Sequence, residues 1–312
     1  VKLLSEAIVH PDDVIRFVRP DEADLGYNPL TMSSTWEALA TRDTGLLEMA
    51  LSTRLALPPA CQWITYLRCH DDIGWGFADE DARELGIDPF EHRRFLNAFY
   101  SGEFDGSFAS GMRFQDNPVT GDARISGTLA SLAGLERALE AADPVAIDLA
   151  VERILLLHAF MLSVIGIPLM YLGDEIAQLN DYSYMDDPEL SHDNRWAHRP
   201  PFSWETLELS EDGTGPSARI LAGIRRLIAI RVRLAALGAD DPLPHVTPTD
   251  APELIAYDRV SEDQRFRGVF NFSERTVPVS IDEEWNVVFE QSHTANGLGP
   301  YGCVWMVRSR PE

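Results

Sequence analysis

The stretch Tyr66-Leu-Arg-Cys-His70-Asp71-Asp72-Ile-Gly-Trp75 decides the fold. It continues a β-branched and aromatic run, Trp63-Ile-Thr-Tyr66, that starts just after the breakers Pro58 and Pro59, and such a run reads as a strand. The strand closes on a histidine and two adjacent carboxylates, then Gly74. In a parallel α/β scaffold the chemistry lies where strands end and loops begin. A His-Asp-Asp there suits a polar substrate and a developing positive charge. The same residues also read as a capped turn, because Asp is common wherever a strand stops.

Working outward, residues 1–4 read as a strand running into Ser5 and Glu6, so Glu6 stands at a strand's C-terminal end. On its own it reads equally as a surface glutamate beside a turn. Residues 21–29 are loop-like. Thr35 to Leu55 reads as one helix, with Trp36, Leu39, Leu46, Leu47 and Ala50 at mixed 3–4 spacing. Strand, helix and strand make a βαβ unit, which implies parallel pairing. Beyond Trp75 lies an excursion over residues 76–140, with a predicted helix from Pro89 to Phe99 and an irregular stretch from Ser101 to Ser126. A loop region of that length is functional or disordered, and its regularly placed aromatics argue against disorder. It is expected to overhang the strand ends, with Gln115 and Arg124 as candidate donors to sugar hydroxyls; Arg124 reads equally as a structural ion-pair partner.

Asp143-Pro144 signals a helix start, and the apolar run from Ile154 to Ile165 marks that helix as buried. Residues 167–172 form a short apolar strand closing on Gly173-Asp174-Glu175, a second acidic strand end whose carboxylates read as structural. Residues 178–201 make a polar loop in which Arg195 and Arg199 call for carboxylate partners. A helix follows from Ser217 to Leu237. From about Asp240, short runs at 254–259, 266–272, 276–281, 285–289 and 303–307, separated by turn residues, predict a small antiparallel β-sandwich. The expected division is 1–75 and 141–239 as barrel units, 76–140 as an inserted subdomain over the site, and 240–312 as a separate C-terminal domain.

Composition bounds the function. A chain of 312 residues, 45% hydrophobic and 24% charged, is an ordinary globular protein. Its formal net charge of −24 repels nucleic acid and anionic membranes, so neither is expected as a partner. No apolar run reaches the roughly 18–20 residues of a membrane span. Cys61, Cys69 and Cys303 are odd in number and widely spaced. They make neither a metal pattern nor a disulfide framework, which favours a reducing compartment such as the cytoplasm and leaves secretion open. His10, Asp12 and Asp13 are not expected to assemble as metal ligands, there is no dedicated calcium loop, and no cofactor is called for. The opening reads as a strand rather than a leader, and a fragment is expected.

Three acidic strand ends, Glu6, Asp71 and Asp174-Glu175, taken as successive βα units, point to the top face of a (β/α)₈ barrel. Glycoside chemistry needs two carboxyl groups about an anomeric carbon, one of them a general acid. Ser5-Glu6-Ala-Ile-Val-His-Pro-Asp12, Arg68-Cys-His70-Asp71-Asp72-Ile-Gly-Trp75-Gly-Phe-Ala-Asp-Glu-Asp81, Phe104-Asp-Gly-Ser-Phe-Ala109, Gly166-Ile-Pro-Leu-Met-Tyr-Leu-Gly-Asp-Glu175 and Arg195-Trp-Ala-His-Arg-Pro200 resemble the α-amylase superfamily, glycoside hydrolase family 13. Within it they look most like the amylosucrases, the doubled Asp before Ile-Gly-Trp being the most specific part. The resemblance implies an α/β fold: the C-terminal half of a TIM barrel with an inserted loop subdomain, then the β-sandwich. It makes Glu6 the general acid/base, Asp71 the transition-state stabiliser and His70 a donor to the glucosyl unit. Asp72, Gln115 and Arg124 would line the neighbouring subsite, and Arg195 would pair with an acid from the upstream part of the barrel. The implied partners are sucrose, an α-glucan acceptor and that upstream half.

Two departures stand out. Cys69 occupies a position that is Ser or Asn in relatives, a small change that leaves the assignment intact. The family's nucleophile, an aspartate in a Gly-x-Arg-x-Asp motif on the strand before Glu6, has no counterpart in these 312 residues. The expectation is therefore part of a retaining glucosyltransferase, inactive alone. The alternatives are a relative that hydrolyses or isomerises sucrose, trehalose or α-glucans, or a non-catalytic sugar-binding remnant.

Overall fold

The computed structural model describes residues 1–7, 9–238 and 243–309; the boundary expected at Asp240 and the last three residues lie outside them. Four short strands, β1 (Leu4–Ser5), β2 (Leu25–Tyr27), β3 (Gln62–Tyr66) and, after the excursion, a fourth, build one parallel sheet. The excursion carries a hairpin, β4 (Met112–Phe114) against β5 (Arg124–Ser126), and the fourth parallel strand is β6 (Ile167–Leu169). The sheet order is β1-β2-β3-β6, every pair parallel, with helices in the connections. That is a section of a (β/α) barrel wall, and it places all the strand C-termini on one side.

The strand β2 corrects the loop expected over residues 21–29, and it separates Glu6 from Asp71, whose strands are not successive. Three residues between an acidic run and Asn-Pro carry no periodicity; pairing on both sides makes them a strand. Gly26 fits there because a Cβ would stand 2.7 Å from Val18 Cγ2. The single helix expected over 35–55 is two, Pro29–Thr41 and Gly45–Thr53. Arg42 caps the first in the left-handed region, φ 59°. Thr44 is held from outside, its N–H on the Pro252 carbonyl at 2.7 Å and its hydroxyl on that of Leu254 at 2.9 Å. Tertiary contacts outweigh local helix preference here. The helix expected over 217–237 runs from Pro216 to Arg231. The helix announced by Asp143-Pro144 forms as expected, with Asp143 accepting from the N–H groups of Val145 and Ala146.

The C-terminal region is one five-stranded antiparallel sheet: β7 (His245–Thr247), β8 (Leu254–Val260), β9 (Gln264–Asn271), β10 (Asn286–Thr294) and β11 (Gly297–Ser309), ordered β10-β11-β9-β8-β7. This corrects the two-sheet sandwich. Residues 276–281, read as a strand, contribute a single bridge, Val277 to Leu298, since Pro278 lacks the N–H a ladder needs. Side chains alternate across the sheet. Tyr257, Phe270 and Phe272 face the barrel and surround Phe160, with ring centroids 5.9, 5.5 and 5.9 Å away. Leu254, Ala256, Val269, Val304 and Met306 face outward under Val277 and Trp285. The apolar core continues from the barrel helices into the sheet's inner face without a break. Cys61, Cys69 and Cys303 are free thiols, and among the described residues no helix is long and apolar enough to cross a membrane.

Candidate active site

The C-terminal ends of β1 and β3 bring Glu6 and His70 together, His70 Nε2 lying 3.1 Å from Glu6 Oε1, with both side chains about half exposed. Asp71 completes the group, ligand-type atoms of the three lying within 4.8 Å of one another. Two cations converge on Asp71 Oδ1: Arg195 Nη1 at 3.1 Å and Arg199 Nη2 at 3.3 Å. The partners sought for Arg195 and Arg199 are thus within this chain. Arg195 also grips Asp193 in a fork, Nε to Oδ1 at 2.9 Å and Nη2 to Oδ2 at 2.8 Å. That fork holds the Asp193 carboxyl down at about 2, a planar bidentate match that lysine could not make.

Asp72 sits behind this group. Burial raises its pKa, and the nearby Arg124 guanidinium opposes the rise. Arg124 reaches in over Gly74: a Cβ at residue 74 would lie 1.5 Å from Arg124 Nη1. The glycine in Asp-Asp-Ile-Gly-Trp is therefore a close-approach glycine. The hairpin is fastened beside it, Ile73 and Ile125 exchanging both backbone hydrogen bonds at 2.9 Å. Gln115 lies at the outer end of the same hairpin, exposed and left-handed at φ 55°, one residue past the Phe114 that pairs with Arg124.

Beneath the site lies a layer of which sequence reasoning named only the structural carboxylate Asp174. Arg68 and Asp174 form an ion pair at 2.8 Å with both side chains only 3% exposed, and Arg68 also stacks over Tyr171 at 4.3 Å. The structural reading of Asp174 is thereby specified: it neutralises a charge that a buried strand end could not otherwise hold. An arginine directly after the apolar run Trp63-Ile-Thr-Tyr-Leu67, two residues past the end of β3, was the available signal. His198, also buried, contacts the His70 carbonyl. Beside His70, burial pushes the Cys69 thiol up to about 11, so it is no thiolate nucleophile near neutral pH.

A second group involves His10 and Asp12, without Asp13. Folding brings them to Glu80, ligand-type atoms of the three within 4.8 Å. The cation in this cluster is a guanidinium, with Arg54 Nη1 2.7 Å from Asp12 and Nη2 3.1 Å from Glu80 and 2.6 Å from Asp81.

A parallel barrel wall with charged groups gathered at its strand ends, followed by an antiparallel β-sheet, defines the class of fold, a section of a (β/α) barrel with a C-terminal sheet. No protein-family profile matches the chain. Trehalose synthase from Thermus thermophilus is 23% identical over 295 residues, covering 88% of this chain and 27% of that protein. The crystal structure of sucrose 6F-phosphate phosphorylase from Thermoanaerobacter thermosaccharolyticum superposes with a TM-score of 0.59 at 16% identity, covering 87% of this chain and 48% of that one. An α-amylase from H. orenii superposes at 0.56 with 12% identity, covering 99% and 53%. The fold is that of the α-amylase family, and the chain spans about a quarter of the curated relative's length and about half of each of these solved chains.

Proposed function

We propose that this chain carries the acid/base side of a retaining glucosyltransferase site of the amylosucrase type. In this reading sucrose binds with its glucosyl ring against His70 and Asp71. An aspartate from the upstream half of the barrel attacks the anomeric carbon, and Glu6 gives its proton to the departing fructosyl oxygen. Glu6 then takes a proton from an α-glucan hydroxyl as that oxygen displaces the aspartate. Asp71 faces the positive charge that builds on the ring, while Asp72, Gln115 and Arg124 line the subsite for the leaving and accepting sugars. Within this chain, Arg195 orients Asp71 and is itself oriented by Asp193.

The observation that carries this reading is the convergence of Glu6, His70 and Asp71 from two different strand ends onto one half-exposed patch. Among the described residues β1 has a neighbour on one side only, which leaves an edge for the remaining barrel wall. A second reading is favoured by the trehalose synthase match: an isomerase, in which the acceptor is the sugar just released.

Product analysis separates the readings once the chain is combined with an amylosucrase upstream barrel half and given sucrose, maltose or trehalose. Insoluble glucan from sucrose supports transfer; an isomeric disaccharide supports the second reading; free glucose alone means hydrolysis. Binding without any product would leave a sugar-binding remnant and overturn the proposal.

A further inference from the structure

His198 makes two contacts that fix its proton. Its Nδ1 lies 3.2 Å from the backbone N–H of Gly127 and accepts from it, and its Nε2 lies 3.2 Å from the carbonyl of His70. An Nδ1 that accepts leaves the ring hydrogen on Nε2, which then donates to His70. A proton on Nδ1 would set one N–H against another. The side chain is buried, only 1% exposed, so the imidazole has no water to turn towards. Burial and the neighbouring Arg68 also disfavour its charged form.

The elements joined are the ones that make the site. Gly127 directly follows β5, which carries Arg124 at its other end. His70 opens the turn holding Asp71 and Asp72. Its carbonyl accepts a second hydrogen bond from Arg199 Nε at 2.6 Å, and Arg199 also reaches Asp71. The backbone of His198 is anchored in turn, its carbonyl accepting from Arg68 Nη1 at 3.0 Å, while Arg68 is locked on Asp174. One neutral ring thus spans the inserted hairpin and the strand-end turn, from a base that has nowhere to move.

We propose that His198 is a positioning residue: its Nε2-protonated imidazole sets the direction of the His70 carbonyl, and so the placement of the His70 and Asp71 side chains relative to the hairpin bearing Arg124. Its importance for turnover rests on the function proposed above; its effect on His70 does not. A carbonyl held by two donors is fixed in direction, whereas one held by Arg199 alone pivots about a long, flexible side chain. A glucosyl ring gripped from both sides needs that relation kept to a fraction of an ångström.

The test uses the whole chain labelled with nitrogen-15 at histidine. The proposal predicts that the histidine signals lost in His198→Phe are those of an unprotonated Nδ1 and a protonated Nε2. In that variant the His70 ring signals should shift and broaden, and His198→Gln, which keeps a donor near the Nε2 position, should bring them back. A His198 protonated on Nδ1, or His70 signals untouched in His198→Phe, would overturn it. If His198→Phe fails to fold, the tautomer in the parent and the His70 signals in His198→Gln still decide. In the combined protein, His198→Phe should lower kcat/KM for sucrose by roughly tenfold or more, with His198→Gln recovering most of it. Absence of turnover in the parent combination would count against the proposed function alone, leaving the histidine spectra to judge this inference.

Discussion

At Glu6 the geometry gives a direct expectation. If this carboxyl protonates the departing sugar, Glu6→Gln in the combined protein should lower turnover by about 10²-fold or more and leave sugar affinity nearly unchanged, read from steady-state kinetics and a binding titration. Equal loss of affinity would assign Glu6 to binding alone. Two buried histidines give a pH expectation. Burial lowers both His158 and His198 from 6.5 to about 4. The unfolded chain therefore takes up protons that the folded chain refuses between those values. Their contribution to stability is complete above about pH 6.5 and is lost as the pH falls towards 4, by up to about 1.4 kcal/mol per pH unit for each. Denaturant midpoints at about pH 7 and about pH 5 measure it, and His158→Phe should make the fall shallower. At this scale Glu6, His70, Asp71, Asp72, Arg124 and Arg195 were all legible as polar or charged side chains at strand ends or in polar loops. The layer below was legible only in part. Asp174 reads from the sequence as a structural carboxylate, but its partner Arg68 and the role of His198 are recognisable only from contacts far along the chain, and no spacing announces a contact between residues 70 and 198.

Among the elements, the hairpin β4–β5 lays its Arg124 side chain over Gly74. With Arg124 Nη1 1.5 Å from where a Cβ would stand, Gly74→Ala has to expel the guanidinium from above Asp72. Because the displaced atoms are the far end of a flexible side chain, its cost should be modest, about 0.5–1.5 kcal/mol as for a side chain forced off its rotamer, and should largely disappear in an Arg124→Ala background. A double-mutant cycle in denaturant checks this, and simple additivity would contradict the described contact. The buried pair between the end of β3 and the turn after β6 should behave asymmetrically. Asp174→Asn leaves Arg68 unpaired and should cost about 3–5 kcal/mol, whereas Arg68→Met with Asp174→Leu should cost less than either single change. The strand β2 and the break between the helices ending at Thr41 and starting at Gly45 escaped the sequence for one reason. Each is imposed by neighbours, β1 and β3 in one case and the carbonyls of Pro252 and Leu254 in the other. The helix capped by Asp143 carried its own signal and formed where that signal placed it.

At the scale of the whole molecule, the inner face of the C-terminal sheet shares one core with the barrel helices, centred on Phe160 with Tyr257, Phe270 and Phe272. Phe160→Ala should destabilise by about 3–5 kcal/mol, and barrel wall and sheet should melt in one transition by calorimetry; two well-separated transitions would restore independent domains. The barrel class was legible because strand ends carry chemistry wherever a wall of parallel strands is built. The sandwich was overread because a list of apolar runs does not say whether they pair into one sheet or two; Pro278 within the run 276–281 was a readable sign against that strand, while the short β7 carried no signal of its own. The central claim is that the acid/base and stabilising groups lie in this chain and the nucleophile does not. Fructose release from sucrose tests it most directly, measured on the 312-residue chain alone and after adding an amylosucrase upstream barrel half. The account predicts no release from the chain alone and release that depends on Glu6 in the combination. Release by the chain alone would contradict it, with Asp72 the first carboxylate to examine, and so would a combination that binds sucrose and never cleaves it.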